Sequence, residues 1–168
     1  MNNSPLRPPK SAKSAKAGTP TGGAEPADKL DTRYLESLIG YNARRAALTV
    51  IGVFLERMAP YGLRPVEFST LSLIHHNPGV TARQLCHSLG LLPPNMVGTL
   101  NAFEQRGLIE RRPHPRDGRA QGLHLTEIGH SLILQAEATA SALEHDAAHK
   151  LSAAERKRLM ALLQKIYL

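Results

Sequence analysis

Gly107-Leu108-Ile109-Glu110-Arg111-Arg112-Pro113-His114-Pro115-Arg116-Asp117-Gly118-Arg119-Ala120-Gln121-Gly122-Leu123-His124-Leu125-Thr126-Glu127-Ile128-Gly129 reads as two short strands joined by a basic tip, with a helix starting at once behind them. The strands are expected over 109–112 and 122–125. Between them two prolines, a glycine, Arg116 and Arg119 make a stiff, positive, outward-pointing loop. A cationic hairpin of this kind suits the minor groove of DNA, where guanidinium groups meet a negative potential. Asp117, two residues before Arg119, is expected to orient it, because one carboxylate accepts two hydrogen bonds from a guanidinium. The competing reading is a surface hairpin whose arginines are merely solvated, and the residues that precede the hairpin decide against it.

Upstream, Thr81 and Gln84 have capping-box spacing and start a helix carrying Leu85 and Leu89, which Gly90 ends. Three residues later Pro93 and Pro94 open another helix that runs to Arg106 and stops at Gly107. Two short helices around a tight glycine-containing turn, followed by strand-loop-strand, form a winged helix-turn-helix. The expected fold class is therefore mainly α, a winged helix over about 63–125 inside a domain of residues 30–168.

Longer helices flank this unit. A helical pattern over 32–58 carries Leu35, Leu38, Ile39, Ala46, Val50, Val53, Phe54 and Met58, and Pro60 and Gly62 end it. Pro65 opens a helix with Phe68, Leu71 and Ile74 on one face, stopped by Asn77-Pro78-Gly79. Thr126 caps a helix of about six turns striped by Ile128, Leu132, Ala136, Ala140, Leu143 and Ala147. Ser152 and Glu155 cap a last helix bearing Leu159, Leu162, Leu163 and Ile166. The first, fifth and last helices are too extended for a small winged-helix core and predict a homodimer.

Composition agrees. The 168 residues suit one ordinary domain, and 42% hydrophobic residues with only 4% aromatics suit a helical core of Leu, Ile, Val and Ala. A net charge of +7 and a pI near 9.9 point to a polyanionic partner. One cysteine excludes an intramolecular disulfide, and no apolar run reaches the ~20 residues of a membrane span. With no apolar leader in view, a cytoplasmic location and no membrane partner are expected. Residues 1–29 are rich in Pro, Ala, Ser, Gly and Lys, with five basic against two acidic residues. They are expected to be a disordered basic tail, a solubilising leader or else a DNA-tracking arm.

From 35 to the C-terminus the chain resembles the MarR family of bacterial transcription regulators. The resemblance rests on Gly107-Leu108-Ile109-Glu110-Arg111, Asp117-Gly118-Arg119 and Leu123-His124-Leu125-Thr126-Glu127-Ile128-Gly129, the family's wing signature in order, and on Gly40-Tyr41-Asn42-Ala43-Arg44-Arg45-Ala46, which looks like its first helix. Within the family the chain looks similar to repressors of aromatic-acid catabolism, particularly the nicotinate-degradation type. The resemblance implies a homodimer with interlocking terminal helices, a palindromic double-stranded operator, and release by a small aromatic acid bound between the dimer helices and the DNA-binding lobe. A 6-hydroxynicotinate-like acid is the first candidate.

The second helix of the helix-turn-helix departs from the common family pattern, with Pro94, Asn95, Val97 and Gly98 where many members place Ser, Thr and Arg. Met96, Leu100 and Phe103 are expected in the core, leaving Asn95, Gly98, Thr99 and Ala102 on the outer face. Asn95 can pair with adenine, and Thr99 and Ala102 can touch thymine methyls. Gly98 admits close approach of DNA at a helix cost of about 1 kcal/mol relative to Ala. Without an arginine on this face an A·T-leaning site is expected, with affinity supplied by phosphate contacts and the wing. The expected DNA-contacting set is Arg83, Asn95, Gly98, Thr99, Ala102, Arg112, Arg116, Asp117 and Arg119.

For the inducer, Phe68, Ser72 and His75 fall on one helix face, and Tyr41 and Arg45, four apart, supply a phenol and a carboxylate partner. Ordinary helix packing is the competing role for all five. His145 and His149 have chelating spacing, but adjacent His75 and His76 are expected to diverge and no compact ligand set is visible, so no metal or other cofactor is expected. Cys86 reads as a small buried filler. No phosphate-binding glycine loop, acid pair or nucleophile motif supports an enzyme. The alternative to a ligand-gated repressor is a constitutive winged-helix module, architectural or protein-docking, with no inducer.

Overall fold

A computed structural model describes residues 30–114 and 117–168, with only the backbone described at 114, 117–120 and 144. The expected tail over 1–29 lies outside these residues. Helices α1 (Arg33–Glu36) and α2 (Ile39–Met58) are followed by a 3-10 turn (Ala59–Tyr61), then α3 (Pro65–His76), α4 (Ala82–Leu89), α5 (Pro93–Gln105), β1 (Ile109–His114), β2 (Asp117–Leu125), α6 (Glu127–Ala147) and α7 (Ala153–Tyr167). The fold is a winged helix-turn-helix set among longer helices.

The boundaries follow local chemistry. Thr81 and Gln84 close a capping box on α4, and Ser152 and Glu155 close one on α7. Gly90 and Gly107 sit at φ of 61° and 66°, the left-handed turns that end α4 and α5. The first helical pattern is not continuous. Leu38 is extended, at φ −98° and ψ 130°, and separates α1 from α2. The Asn42 side-chain amide donates to the carbonyls of Glu36 and Leu38 at 2.7 and 2.8 Å; it supplies the partner that the break takes from Glu36, while the Leu38 carbonyl also accepts from the Asn42 backbone amide at 3.2 Å.

The strands reach further than turn residues suggested. β1 and β2 pair antiparallel from Ile109–Leu125 to Pro113–Gln121, with an irregularity before His114. Pro113 fits because a two-stranded sheet has free edges where a missing N–H costs little. Val80 adds a bridge to Leu123: the Leu123 amide donates to the Val80 carbonyl at 2.9 Å, and the Gly79 amide to the Leu123 carbonyl at 2.8 Å. This close approach explains Gly122, where a Cβ would stand 3.0 Å from the Gly79 carbonyl oxygen.

Phe103, Met96, Leu100, Leu71, Ile74, Leu85, Leu123 and Ile133 form the centre of the core. Met96, Leu100 and Phe103 are buried as expected. On α6 the buried line is Gly129, Ile133, Ala136 and Leu143, whereas Ile128 is 65% exposed. The expected stripe was rotated there because Gly129, rather than its apolar neighbour, must face Leu108. Helices α2 and α3 both pack on α6, with Tyr61 and Thr139 hydroxyls 2.8 Å apart and Arg57 paired to Asp146 at 2.7 Å. Helix α7 has no buried residue, and its Leu159, Leu162, Leu163 and Ile166 are 42–68% exposed. Leu48, Ile51 and Leu55 of α2 are also exposed. No single helix among the described residues is long and apolar enough to cross a membrane.

Candidate functional site

The helix-turn-helix comes first. Gly90-Leu91-Leu92 joins α4 to α5, and the Leu91 amide donates to the Cys86 carbonyl at 2.9 Å, which fixes the turn. With Met96, Leu100 and Phe103 in the core, Asn95, Gly98 and Ala102 are exposed and Thr99 is half-buried, so the expected outer face exists as one surface. The Thr99 hydroxyl donates to the Asn95 carbonyl at 3.1 Å. A Cβ at Gly98 would meet nothing within 4 Å. The chain's own packing therefore does not require glycine at 98. Arg83 is exposed in the first turn of α4.

An unanticipated clamp sets the wing against α5. Arg111 donates to Glu104 at 2.8 and 3.0 Å and to the Asn101 amide oxygen at 3.3 Å. The hydrogen bond from Arg111 holds the Glu104 carboxyl below its ordinary range, and Glu104 raises the Arg111 guanidinium in turn. The cue in sequence is a Glu and an Arg seven apart across a glycine turn, too distant for any helical pairing rule. Arg112, on the opposite side of the strand, pairs with Glu110. Asp117 and Arg119 fall on β2, with their side chains outside the described residues, as is Arg116 altogether. The expected pairing of Asp117 with Arg119 thus lies outside the described residues.

The five expected inducer contacts are not brought to one cavity within a single chain. Tyr41 is half-buried and Arg45 exposed on α2. Phe68 packs edge-on to Phe54 with ring centroids 5.5 Å apart. The Ser72 hydroxyl donates to Glu137 on α6 at 2.7 Å. His75 opens onto a cleft of about 610 Å³ at the root of the wing, shared with Ile74, Arg112, His124, His130 and Leu134. The cleft collects three histidines and an arginine from α3, both strands and α6, which no local periodicity could have grouped. His75 and His76 do not diverge as expected: their rings meet edge-on at 4.6 Å, and His76 Nε2 lies 3.0 Å from Glu137 Oε1. Of the other histidine pair, His149 Nδ1 is 3.0 Å from the Asp146 carbonyl. Cys86 is half-buried and free.

This arrangement matches known proteins over most of its length. The MarR family pattern matches residues 61–120, the span from the end of the 3-10 turn into the wing. The transcriptional repressor CouR, solved on a 23-mer DNA duplex, is 35% identical, with a TM-score of 0.78 over 83% of this chain and 99% of that one. CouR from Rhodococcus jostii RHA1, bound to p-coumaroyl-CoA, is 29% identical, with a TM-score of 0.72 over 79% of this chain and 93% of that one. The Mycobacterium tuberculosis MarR family protein Rv2887, in complex with salicylic acid, is 25% identical, with a TM-score of 0.63 over 77% of this chain and 96% of that one. A winged helix with an outward-facing second helix, a braced wing and a similarity of this extent and identity leave one assignment: the chain belongs to the MarR family of transcription regulators.

Proposed function

We propose that this protein is a dimeric transcriptional repressor that binds a palindromic operator and is released by a small aromatic carboxylic acid or its coenzyme A thioester. The observation that carries the reading is the outer face of α5, where Asn95, Gly98 and Ala102 are exposed beside a braced wing and Gly98 serves no internal contact. A helix of this kind enters the major groove with its N-terminal residues on base edges. Asn95 recognises adenine, Thr99 and Ala102 meet thymine methyls, and Arg83, Arg112, Arg116 and Arg119 serve phosphates and the minor groove.

The exposed apolar residues of α2 and α7 support the dimer, since covering the part of each Leu or Ile that still faces water contributes about 25 cal/mol per Å² of apolar area. For the inducer, His75, His124 and His130 at the wing-root cleft supply ring N–H donors suited to a carboxylate. Tyr41, Arg45, Phe68 and Ser72 are candidates for a seat completed by the second subunit. The CouR relative bound to p-coumaroyl-CoA supports the thioester, and the relative bound to salicylic acid supports the free acid. A hydroxylated nicotinate is the first free acid to try. Release requires that the ligand bind the DNA-incompetent spacing of the two lobes more tightly than the competent one.

The test is fluorescence anisotropy on a duplex selected from a random pool, with aromatic acids and acyl thioesters added to the complex. Ligand-dependent release, weakened in His75→Ala or Arg45→Ala, supports the reading. Tight binding that no such compound alters leaves a constitutive winged-helix module instead.

A further inference from the structure

His75 and His76 at the end of α3 and Glu137 on α6 present three ligand atoms within 4.8 Å of one another, and among the described residues this is the one such cluster of His, Cys, Asp and Glu. The two helices supply complementary halves of it. Helix α3 brings two imidazoles, and α6 brings a carboxylate that is three-quarters covered, at 23% side-chain exposure. Glu137 is also held in place: Ser72 donates to its Oε1 at 2.7 Å, and His76 Nε2 lies 3.0 Å from the same oxygen. A hydroxyl that fixes a carboxylate in this way is the outer-shell support seen around metal-binding groups. His130, two turns before Glu137 on α6, has its ring 5.0 Å from that of His75.

We infer that His75, His76 and Glu137 form a binding site for a divalent transition metal of the zinc class, linking α3 to α6. Imidazole nitrogens and one carboxylate are donors that zinc accepts at about 2.0–2.2 Å, which sets donors roughly 3.4 Å apart in a tetrahedral site. His76 Nε2 and Glu137 Oε1 already stand 3.0 Å apart, the full set lies within 4.8 Å, and side-chain adjustment on binding completes that geometry with water in the open position. Calcium and magnesium are disfavoured because two of the three donors are nitrogen. The site shares His75 with the wing-root cleft, whereas His76 and Glu137 do not line that cleft.

The experiment titrates the metal-stripped full chain with zinc against a chromophoric chelator and with cobalt(II) by visible absorption. The wild type should bind one ion per chain, gain thermal stability with zinc, and show cobalt ligand-field bands. His76→Ala and Glu137→Gln should each lose roughly tenfold or more in affinity, and Ser72→Ala about 10–100-fold if its hydroxyl orients the carboxylate. The doubly substituted His145→Ala/His149→Ala chain should bind like wild type. Equal zinc affinity in wild type, His76→Ala and Glu137→Gln, or loss of binding only in the His145/His149 variant, would overturn the site. Melting curves without metal confirm that each variant is folded. None of these readouts involves DNA or an aromatic acid, so their outcome is independent of the proposed repressor activity.

Discussion

Gly129 lies so close to Leu108 that a Cβ on it would stand 2.0 Å from the Leu108 carbonyl oxygen. That contact joins the first turn of α6 to the start of the wing. Thr126 completes it: its amide donates to the same Leu108 carbonyl at 3.0 Å, and its hydroxyl donates to the Gly107 carbonyl at 2.6 Å while accepting from the Gly129 amide at 3.1 Å. The wing root and the first turn of α6 are therefore joined by direct backbone packing and three hydrogen bonds through Thr126.

Gly129→Ala should be destabilised by about 1–3 kcal/mol or more, because backbone rather than a flexible side chain occupies the space. Thr126→Ala should lose about 1 kcal/mol as a helix cap. Denaturant titration monitored by circular dichroism checks both. An unchanged midpoint for Gly129→Ala would show that the joint is loose.

Gly98→Ala should behave in the opposite way. Its Cβ meets nothing in the chain, so the helix gains about 1 kcal/mol of propensity. If DNA backbone or bases approach this face, the same methyl weakens operator binding. A melting temperature that rises while affinity falls separates the contact from folding. A rise in both would remove Gly98 from the interface.

The Glu104–Arg111 clamp predicts a pH dependence with a definite sign. Glu104 has a lowered folded-state pKa, owing first to its hydrogen bond with Arg111. Its contribution is fully present above the ordinary glutamate pKa and is lost as pH falls through the lower folded value. Both side chains are about a third exposed, at 34% and 35%, so a double-mutant cycle with Glu104→Gln and Arg111→Met should give a coupling of no more than about 1 kcal/mol at neutral pH. The coupling should vanish in acid. A coupling that grows as pH is lowered would contradict the pairing.

Much of this organisation was legible in sequence because it is written in local signals. The capping residues Thr81, Thr126 and Ser152, the turn glycines Gly90 and Gly107, and the three-residue link between α4 and α5 set element order without reference to the rest of the chain. The core face of α5 followed from helical spacing alone. What escaped depends on contacts distant in sequence. The Val80–Leu123 bridge, the Ser72–Glu137 hydrogen bond and the cleft shared by His75, His124 and His130 join segments that periodicity treats separately. The break at Leu38 was hidden because Asn42 reaches backward to carbonyls that precede it. Ile128 was misplaced because a glycine carries no hydrophobic signal, although Gly129 sets the contact face.

Helix α7 should prove essential to assembly. Removing 152–168 takes away Leu159, Leu162, Leu163 and Ile166, all exposed in the single chain. If they meet a second copy, the truncated protein should lose the dimer and become less soluble, as measured by light scattering. A soluble, folded dimer after truncation would place the subunit contact elsewhere.

The most direct measurement is operator binding by the full chain, followed by anisotropy, as p-coumaroyl-CoA, salicylate and hydroxylated nicotinates are added in turn at fixed salt. The account predicts two chains per palindromic duplex, a steep loss of affinity with rising salt, and release by at least one aromatic acid or thioester that also raises the melting temperature of the free protein. Specific DNA binding that none of these compounds changes, with no thermal shift, would contradict ligand-gated repression.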